Sequence, residues 1–516
     1  MYPGLFSIPG FVSTLLAVVF ATHVYNLCII RLQKRNVPGP IGVPLLGNLL
    51  QLFPHRKNML MYLSILEEKY GPMFAFNMPG YGRTIVINRP EWLEHMRKSE
   101  NHLWKGRFYT LCFQEFPGSG SAFGSEGMKW RSSRKIMKPV FVTPTFDRDV
   151  SHCMNEVAIT AREALENVAK QGIAINFNVD FCGRLSLEVF CKMALDYDMG
   201  LLTVDGSSLT NPHPLMKSLS ILSEATSGRL FNPWWRLIEK ASFDGVGSKF
   251  TSARAELFKI VEEIVQQRKS AGRDQDENYD FLSTLLRDGQ VQDPALLRGT
   301  LITLLFAAKD NTQNSLSWSL YELSRSPVWL EKLRQEAFCN GDPTQIVQYR
   351  NLANYPNHLA VFYETIRLWP GVPKNTRVAL QDDVLPAIPA EGYGPVRVAR
   401  GEYLLWSDYS MMRNEHVWGP DAREFNPARH LDTDGRFVKP PHPKFHSFGA
   451  GPRLCPGAQL AAYEFVAFWC SVLPWFDIAP VDGIARLPAD ALTLTMGEPL
   501  MVKVVRRSAA RDLGSE

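Results

Sequence analysis

The chain has 516 residues, with 56 Lys and Arg against 52 Asp and Glu for a net charge of +4, and 45% of its residues are hydrophobic. This composition is typical of globular proteins with a large apolar core, and so small a charge does not indicate a nucleic-acid partner. The eight cysteines are scattered and form no Cys-x-x-Cys pair, which argues against zinc knuckles and a disulfide scaffold. These numbers predict one large intracellular enzyme.

The first predicted element is a transmembrane helix. The run Phe11–Ile30 contains no Asp, Glu, Lys or Arg, and about 20 apolar residues are enough to cross a bilayer. Arg31, Lys34 and Arg35 follow at once and no basic residue precedes the run, which predicts a cytoplasmic orientation for the rest of the chain. The alternative, a cleaved signal peptide, lacks a basic n-region and a small-residue cleavage site. We therefore predict a single-pass anchor over residues 1–36.

A catalytic domain is predicted over residues 37–516. It begins with the proline-rich linker Val37–Asn48, which three prolines keep extended. Residues 73–78 and 84–88 alternate as short strands do, whereas the pattern from Pro90 onward is overwhelmingly helical. The predicted fold class is mainly α with small β-sheets.

One predicted helix is unusually long. Asp293 is suited to cap it and Pro294 to begin it, and no stop signal follows until about Ser324. Its middle, Leu301–Ala308, is apolar on nearly every face, so we expect it to be buried in the centre of the domain. The polar run 309–312 then interrupts the apolar stretch and needs a functional or structural reason.

A glycine-rich loop presents one cysteine at the start of another predicted helix. The loop is Phe448–Gly457 and the helical pattern begins at Ala458. At a helix N-terminus the dipole and free N–H groups favour thiolate over thiol at Cys455, while Gly451 and Gly457 permit close approach of a flat partner. The alternative for a lone cysteine, a buried structural thiol, does not account for this setting.

The loop matches a specific family signature. Its residues fit the string F-x-x-G-x-R-x-C-x-G. In this the loop resembles the signature of the heme-thiolate monooxygenases, the cytochrome P-450 family. The resemblance implies the cytochrome P-450 fold and a heme b cofactor with Cys455 as the iron ligand. It also implies that Phe448 shields the sulfur, that Arg453 lies near a heme propionate and that Gly457 is one of the cofactor-binding residues. Electrons would come from NADPH through a reductase.

Two further patterns resemble the family's structural element. Glu364 and Arg367 match E-x-x-R, and Arg429 ends a stretch resembling F-x-P-x-R. By itself the first pattern is equally consistent with a surface ion pair. The resemblance implies a buried network of Glu364, Arg367 and Arg429 that is structural and not catalytic.

Three more residues are implied to bind the heme propionates. Trp130 and Arg134 match W-x-x-x-R and stand about one helical turn apart, and Arg377 resembles a further propionate contact of the family. Carboxylates in a low-dielectric site need such guanidinium partners.

The polar run of the long helix departs from the family pattern. The family usually has A/G-G-x-D/E-T-T/S, whereas this chain has Ala307–Thr312, with the catalytic candidates Asp310, Asn311 and Thr312. An amide cannot pass on a proton as a hydroxyl can, so Asn311 leaves two alternatives open. Either water and Thr312 take over the proton relay, or the protein is a heme-thiolate isomerase or dehydratase that needs no external electrons. The retained Asp310 favours monooxygenation.

The substrate is expected to be lipophilic because the segments expected to line the pocket are largely apolar. Several strings resemble the long-chain fatty acid and alkane hydroxylases of fungi and plants: Arg229–Trp235, Leu316–Trp318, Val378–Pro386 and Asp408–Glu424. The predicted activity is hydroxylation of an unactivated C–H bond in a fatty acid-like or alkane-like molecule, or in a terpenoid or polyketide intermediate of fungal secondary metabolism. The predicted location is the endoplasmic reticulum membrane. A non-catalytic, membrane-tethered heme-binding protein is the remaining alternative.

Overall fold

A computed structural model of the chain describes residues 12–21, 24, 37–43, 46–56, 58–79, 81–141, 150–241, 245–270, 281–287, 291, 293–340 and 345–507. The described part is mainly helical with small sheets, which confirms the predicted fold class in its coarse form. Its α-helices from residue 49 onward are α1 Leu49–Leu52, α2 Met59–Tyr70, α3 Pro90–Lys98, α4 Arg107–Phe113, α5 Gly127–Met137, α6 Ser151–Gln171, α7 Gly183–Leu195, α8 Pro214–Arg229, α9 Trp235–Lys240, α10 Val246–Ser270, α11 Phe281–Arg287, α12 Pro294–Leu323, α13 Pro327–Cys339, α14 Pro356–Leu368, α15 Asp408–Met411, α16 Glu415–Trp418 and α17 Ala458–Val472.

The strands are short and form separate sheets. They are β1 Met73–Met78, β2 Gly82–Ile87, β3 Leu103–Trp104, β4 Ala174–Asn176, β5 Lys374–Ala379, β6 Asp383–Leu385, β7 Val396–Val398, β8 Tyr403–Ser407, β9 Phe476–Pro480, β10 Pro488–Asp490, β11 Leu494–Met496 and β12 Met501–Arg506. The largest sheet has the order β1-β2-β8-β5-β3, in which β2 and β8 run parallel and the other pairs antiparallel. The smaller sheets are β4-β12-β9, β10-β11 and β6-β7.

The described residues form two compact units. The first takes the residues up to Phe108 together with Phe231–Pro233 and Lys374–Met411, and it contains the five-stranded sheet. The second takes the remainder and contains the long helix α12 and the cysteine-bearing loop. The single catalytic domain over residues 37–516 stays a prediction.

Helix α12 is the central element of the second unit. It begins where the sequence indicates, because the Asp293 side chain accepts a hydrogen bond from the Ala295 N–H at 2.9 Å. It packs against α7, α14 and α17. Within the stretch 299–323, which is described throughout, every residue is buried except Ala307, Ala308 and Asn311. These three residues lie on one face of the helix, and we call them the accessible strip.

The predicted membrane anchor falls partly outside the described residues. Of the run Phe11–Ile30, residues 12–21 and 24 are described, and they are helical and exposed. Arg31, Lys34 and Arg35 lie outside the described residues. Among the helices that the structure describes, none is both long enough and apolar enough to span a bilayer.

Candidate functional site

The cysteine-bearing loop turns sharply just before α17. Gly449 and Gly451 have φ angles of 71° and 55°, a left-handed conformation that glycine adopts without steric cost. A single 3₁₀ turn over Gly451–Arg453 follows, and the Cys455 N–H donates to the Phe448 carbonyl at 2.8 Å. This bond closes the loop and places the cysteine three residues before the first residue of α17.

Cys455 is an exposed residue of the polypeptide, yet the surrounding protein partly desolvates its thiol. Desolvation raises the pKa of the thiol above its ordinary value, and the Gly457 N–H and the nearby Arg134 guanidinium reduce this rise without reversing it. A Cβ on Gly457 would lie 3.4 Å from the Phe141 ring and 4.0 Å from the sulfur, so the glycine keeps the volume of one methyl group free between them. The sulfur therefore lies next to two groups that favour its anionic form, although desolvation outweighs them.

Cationic and aromatic side chains gather around this loop. The Arg134 Nη2 on α5 donates to the Leu454 carbonyl at 2.5 Å. Arg453 forms an ion pair with Glu126 at 2.5 Å, and its guanidinium lies 4.4 Å from the centre of the Trp130 ring. The structure thus brings together three predicted residues, Trp130, Arg134 and Arg453. Glu126 was not predicted; its position four residues before Trp130 is the only signal that the sequence offers for it.

Arg377, the fourth predicted propionate contact, belongs to the first unit. It lies on β5, where its Nη1 donates to the Thr376 carbonyl at 2.9 Å and its Nε is 3.8 Å from a Glu100 carboxylate oxygen. Its guanidinium lies 5.4 Å from the centre of the Trp406 ring. Its role toward a propionate stays a prediction.

The structure also brings together Glu364, Arg367 and Arg429. Arg367 donates two hydrogen bonds of 2.8 Å to the Glu364 carboxylate, and the Arg429 Nε donates to it at 3.0 Å. Glu364 and Arg367 are both fully buried, so this is not a surface ion pair. His430, which was not predicted, lies 3.0 Å from the same carboxylate. Burial alone would raise the pKa of Glu364, but the bonds from Arg367 and His430 outweigh it and lower the pKa to about 2.

Arg367 ties this network to a distant stretch of chain. Its Nη1 donates to the Met412 and Ala422 carbonyls, and its Nη2 donates to the Glu424 carbonyl at 3.0 Å. These bonds satisfy carbonyl groups in the irregular segment that follows α15. The contacts are those of a buried structural clamp.

The predicted catalytic acid Asp310 is enclosed on both sides. The Lys309 Nζ donates to its Oδ1 at 2.7 Å, and the Thr493 Oγ1 donates to its Oδ2 at 3.0 Å. All three side chains are buried. Neither Lys309 nor Thr493 was predicted, and no local signal identifies Thr493, which belongs to the turn between β10 and β11.

Thr312 and Asn311 point in different directions. The Thr312 Oγ1 donates to the Glu464 Oε2 on α17 at 2.8 Å, and burial raises the pKa of Glu464 to about 8 although this bond lowers it somewhat. The Asn311 Nδ2 donates to the Ala307 carbonyl at 3.0 Å. Asn311 thus supplies the polar side chain of the accessible strip. The catalytic roles of all three candidates stay predictions, and Glu464 was detectable as a lone acid in an apolar helical run.

These features fit a heme-thiolate site. A cysteine next to a backbone N–H and a guanidinium, both of which favour its anionic form, fits an iron ligand, and two arginines with a tryptophan fit heme propionates. The family model for Cytochrome P450 matches residues 37–504, and the chain belongs to that family.

Curated relatives in the same family are similar to this protein over almost the whole chain. "Cytochrome P450 monooxygenase cyp1" of Mycosarcoma maydis is 30% identical over 524 residues, which cover 96% of this chain and 80% of the relative. "Cytochrome P450 94B3" of Arabidopsis thaliana is 28% identical, over 93% of this chain and 94% of the relative. As a member of the family, the protein is an oxidoreductase of the heme-thiolate monooxygenase class. Its cofactor is a heme with a cysteine thiolate ligand, and a reductase supplies electrons from NADPH.

Proposed function

We propose that this protein inserts one atom of molecular oxygen into an unactivated C–H bond of a lipophilic substrate, and that Cys455 is the residue that would bind the iron of heme b. The observation that carries this proposal is the Cys455 loop, in which the accessible thiol lies beside Gly457 and Arg134. A thiolate-bound heme supplies the oxygen-activating chemistry when it is bound. The protein's own residues bind the heme propionates, exclude water and hold the substrate.

Four side chains are assigned to the propionates. Trp130, Arg134 and Arg453 are clustered at the loop, and Arg377 is added by its resemblance to the family pattern. Guanidinium groups suit this task because they stay charged when buried and bind carboxylates through two N–H groups.

The cysteine assignment has a direct test with a matched control. The heme-loaded protein is reduced and exposed to carbon monoxide, and the absorption band of thiolate-ligated heme is recorded. Cys455→Ser is expected to abolish this band, whereas Cys339→Ser, at another exposed cysteine, is expected to retain it. Retention of the band in Cys455→Ser would contradict the assignment.

The substrate is proposed to be a long-chain fatty acid or alkane, or a terpenoid or polyketide intermediate of fungal secondary metabolism. Two alanines and a single amide form the accessible strip, a surface that binds by burial of apolar area and not by charge. Titration with fatty acids, alkanes and terpenoids, followed by heme spectral shifts and product analysis, tests this class. Preference for small polar molecules would contradict it.

A membrane anchor in the endoplasmic reticulum is part of the same proposal. The support is the uncharged run Phe11–Ile30 with the basic residues Arg31, Lys34 and Arg35 after it. Deletion of residues 1–36 is expected to move the protein from the microsomal fraction to the supernatant while heme loading persists. Full retention of the deletion variant on membranes would refute the anchor.

Asn311 favours a second candidate function, a heme-thiolate isomerase or dehydratase acting on a peroxide. An amide hydrogen-bonded to the Ala307 carbonyl cannot relay a proton as a hydroxyl can. Turnover of a lipid hydroperoxide in the absence of NADPH and reductase, without oxygen insertion in their presence, would replace the monooxygenase proposal by this one.

A further inference from the structure

The amide of Asn311 lies against a residue that has no side chain. Gly371 is in the turn that follows α14, and a Cβ built on it would fall 2.2 Å from the Asn311 Oδ1 and 3.3 Å from its Cγ. Real Cβ atoms do not approach other atoms so closely. The amide oxygen therefore occupies the space that any larger residue at position 371 would fill. Backbone strain does not explain this glycine, since its φ lies outside the left-handed region.

The turn that contains Gly371 is held in place. The Leu494 N–H donates to the Gly371 carbonyl at 3.0 Å, and the neighbouring Thr493 holds Asp310 on the same helix as Asn311. The Leu494 carbonyl in turn accepts the Trp318 Nε1–H at 3.1 Å. The hairpin of β10 and β11 binds both α12 and the turn. The clash of a new Cβ at position 371 therefore cannot be relieved simply by moving the turn outward. The amide must move instead.

We propose that Gly371 is a positioning residue for Asn311. The missing side chain lets the amide oxygen lie against the turn while the Nδ2 donates to the Ala307 carbonyl, and this orients the polar side chain of the accessible strip. The inference rests on the proposed function, in which the strip faces the substrate. A methyl group at position 371 would rotate the Asn311 amide and break its hydrogen bond to the Ala307 carbonyl. The hydrogen-bonding groups that the accessible strip offers to the substrate, and to the protons that the reaction consumes, would then change.

A double-mutant cycle tests the proposal on the full-length, heme-loaded protein. The variants are Gly371→Ala, Asn311→Ala and their combination, with Gly483→Ala as the control because no atom lies within 4 Å of a Cβ built there. In Asn311→Ala the clash is absent, since the Asn311 Cβ is 3.8 Å from a Cβ at position 371, an ordinary contact. The readouts are product formed per NADPH consumed, the dissociation constant of 4-phenylimidazole from its heme spectral shift, and the unfolding temperature.

We expect Gly371→Ala to lower product per NADPH about fivefold in the native background and less than about twofold in the Asn311→Ala background, because contacting residues are coupled. The unfolding temperature should change little, since only the end of a side chain is displaced. Equal losses in both backgrounds would overturn the proposal. If Gly371→Ala fails to load heme, the double variant should restore loading, and failure to restore it counts against the proposal.

The two proposals can fail separately. If the native protein forms no product with NADPH and reductase, the monooxygenase proposal fails, and the 4-phenylimidazole titration still decides the role of Gly371. A change of about threefold or more in that dissociation constant, present in the native background and absent in Asn311→Ala, supports the positioning role. An identical change in both backgrounds, or no change in either, refutes it.

Discussion

Replacement of Glu464 by glutamine is expected to remove a large pH dependence of stability. Glu464 is buried on α17 and accepts the Thr312 hydroxyl, and burial raises its pKa from 4.5 to about 8. In the unfolded chain the carboxyl group loses its proton above about 4.5, whereas in the folded chain it keeps the proton until about pH 8. Its contribution to stability is therefore complete below pH 4.5 and is lost as the pH rises toward 8.

The size of this loss follows from the pKa shift. At about 1.4 kcal/mol per pKa unit, a shift of about 3.5 units corresponds to a loss of about 5 kcal/mol between the two pKa values. Glutamine has nearly the same shape, can accept the Thr312 hydrogen bond through its amide oxygen and does not titrate. Glu464→Gln should therefore resemble the native protein at pH 5 and be more stable by several kcal/mol at pH 8.

The assay is urea unfolding of the heme-loaded protein at pH values between 5 and 8.5. Glu263→Gln is the control, because Glu263 is an exposed residue whose carboxylate lies 3.9 Å from Lys259 on the surface of α10. The control should keep the pH dependence of the native protein. Parallel stability curves for Glu464→Gln and the native protein would refute the reasoning, since they would mean that Glu464 is ionised in the folded state at neutral pH.

Three further changes test the buried polar contacts. Glu364→Gln should lower the free energy of unfolding by about 3 kcal/mol at pH 7 in a urea titration. The lowered pKa of Glu364 adds stability above pH 4.5, and the native protein loses that stability as the pH falls toward 2. The control Glu331→Gln, at an exposed residue with the same spacing to an arginine, should cost less than about 1 kcal/mol. Lys309→Met should lower the free energy of unfolding by about 3 kcal/mol because it leaves Asp310 buried without its cation, and an unchanged value would show that the pair does not stabilise the fold. Thr493→Val should lower the free energy of unfolding by about 1 to 2 kcal/mol because it removes one hydrogen bond to Asp310, and the carbon monoxide band should persist. Loss of heme loading would show that Thr493 does more than hold this acid.

Some elements were predictable from the sequence because their cause is local. Residues 301–308 are apolar on nearly every face of the predicted helix, which indicated that the helix is buried. Helix α12 is buried through that stretch apart from Ala307 and Ala308. The glycines near Cys455 predicted a tight loop, and Gly449 and Gly451 adopt the left-handed conformation that such a loop requires. In both cases the residues that decide the structure lie within a few positions of one another.

The partners of buried polar groups were not predictable in the same way. His430 lies 66 residues from Glu364, and Thr493 lies 183 residues from Asp310. Such contacts depend on how distant segments pack, and many threonines or histidines would fit a sequence pattern equally well. The Lys309–Asp310 pair was missed for another reason: successive helical residues usually diverge, and only enclosure by other segments brings these two side chains together.

The enclosure of Asp310 separates the roles of the three residues in the motif Asp310–Thr312. A helix turns by about 100° per residue, so three consecutive side chains cannot all face one substrate. Glu464 binds Thr312, and Lys309 with Thr493 binds Asp310, which leaves Asn311 as the member on the accessible strip. Substitutions at Asp310 or Thr312 should therefore act first on stability, whereas substitutions at Asn311 should act first on the reaction. The neighbours of the motif, more than its own residues, decide which of its side chains the substrate meets.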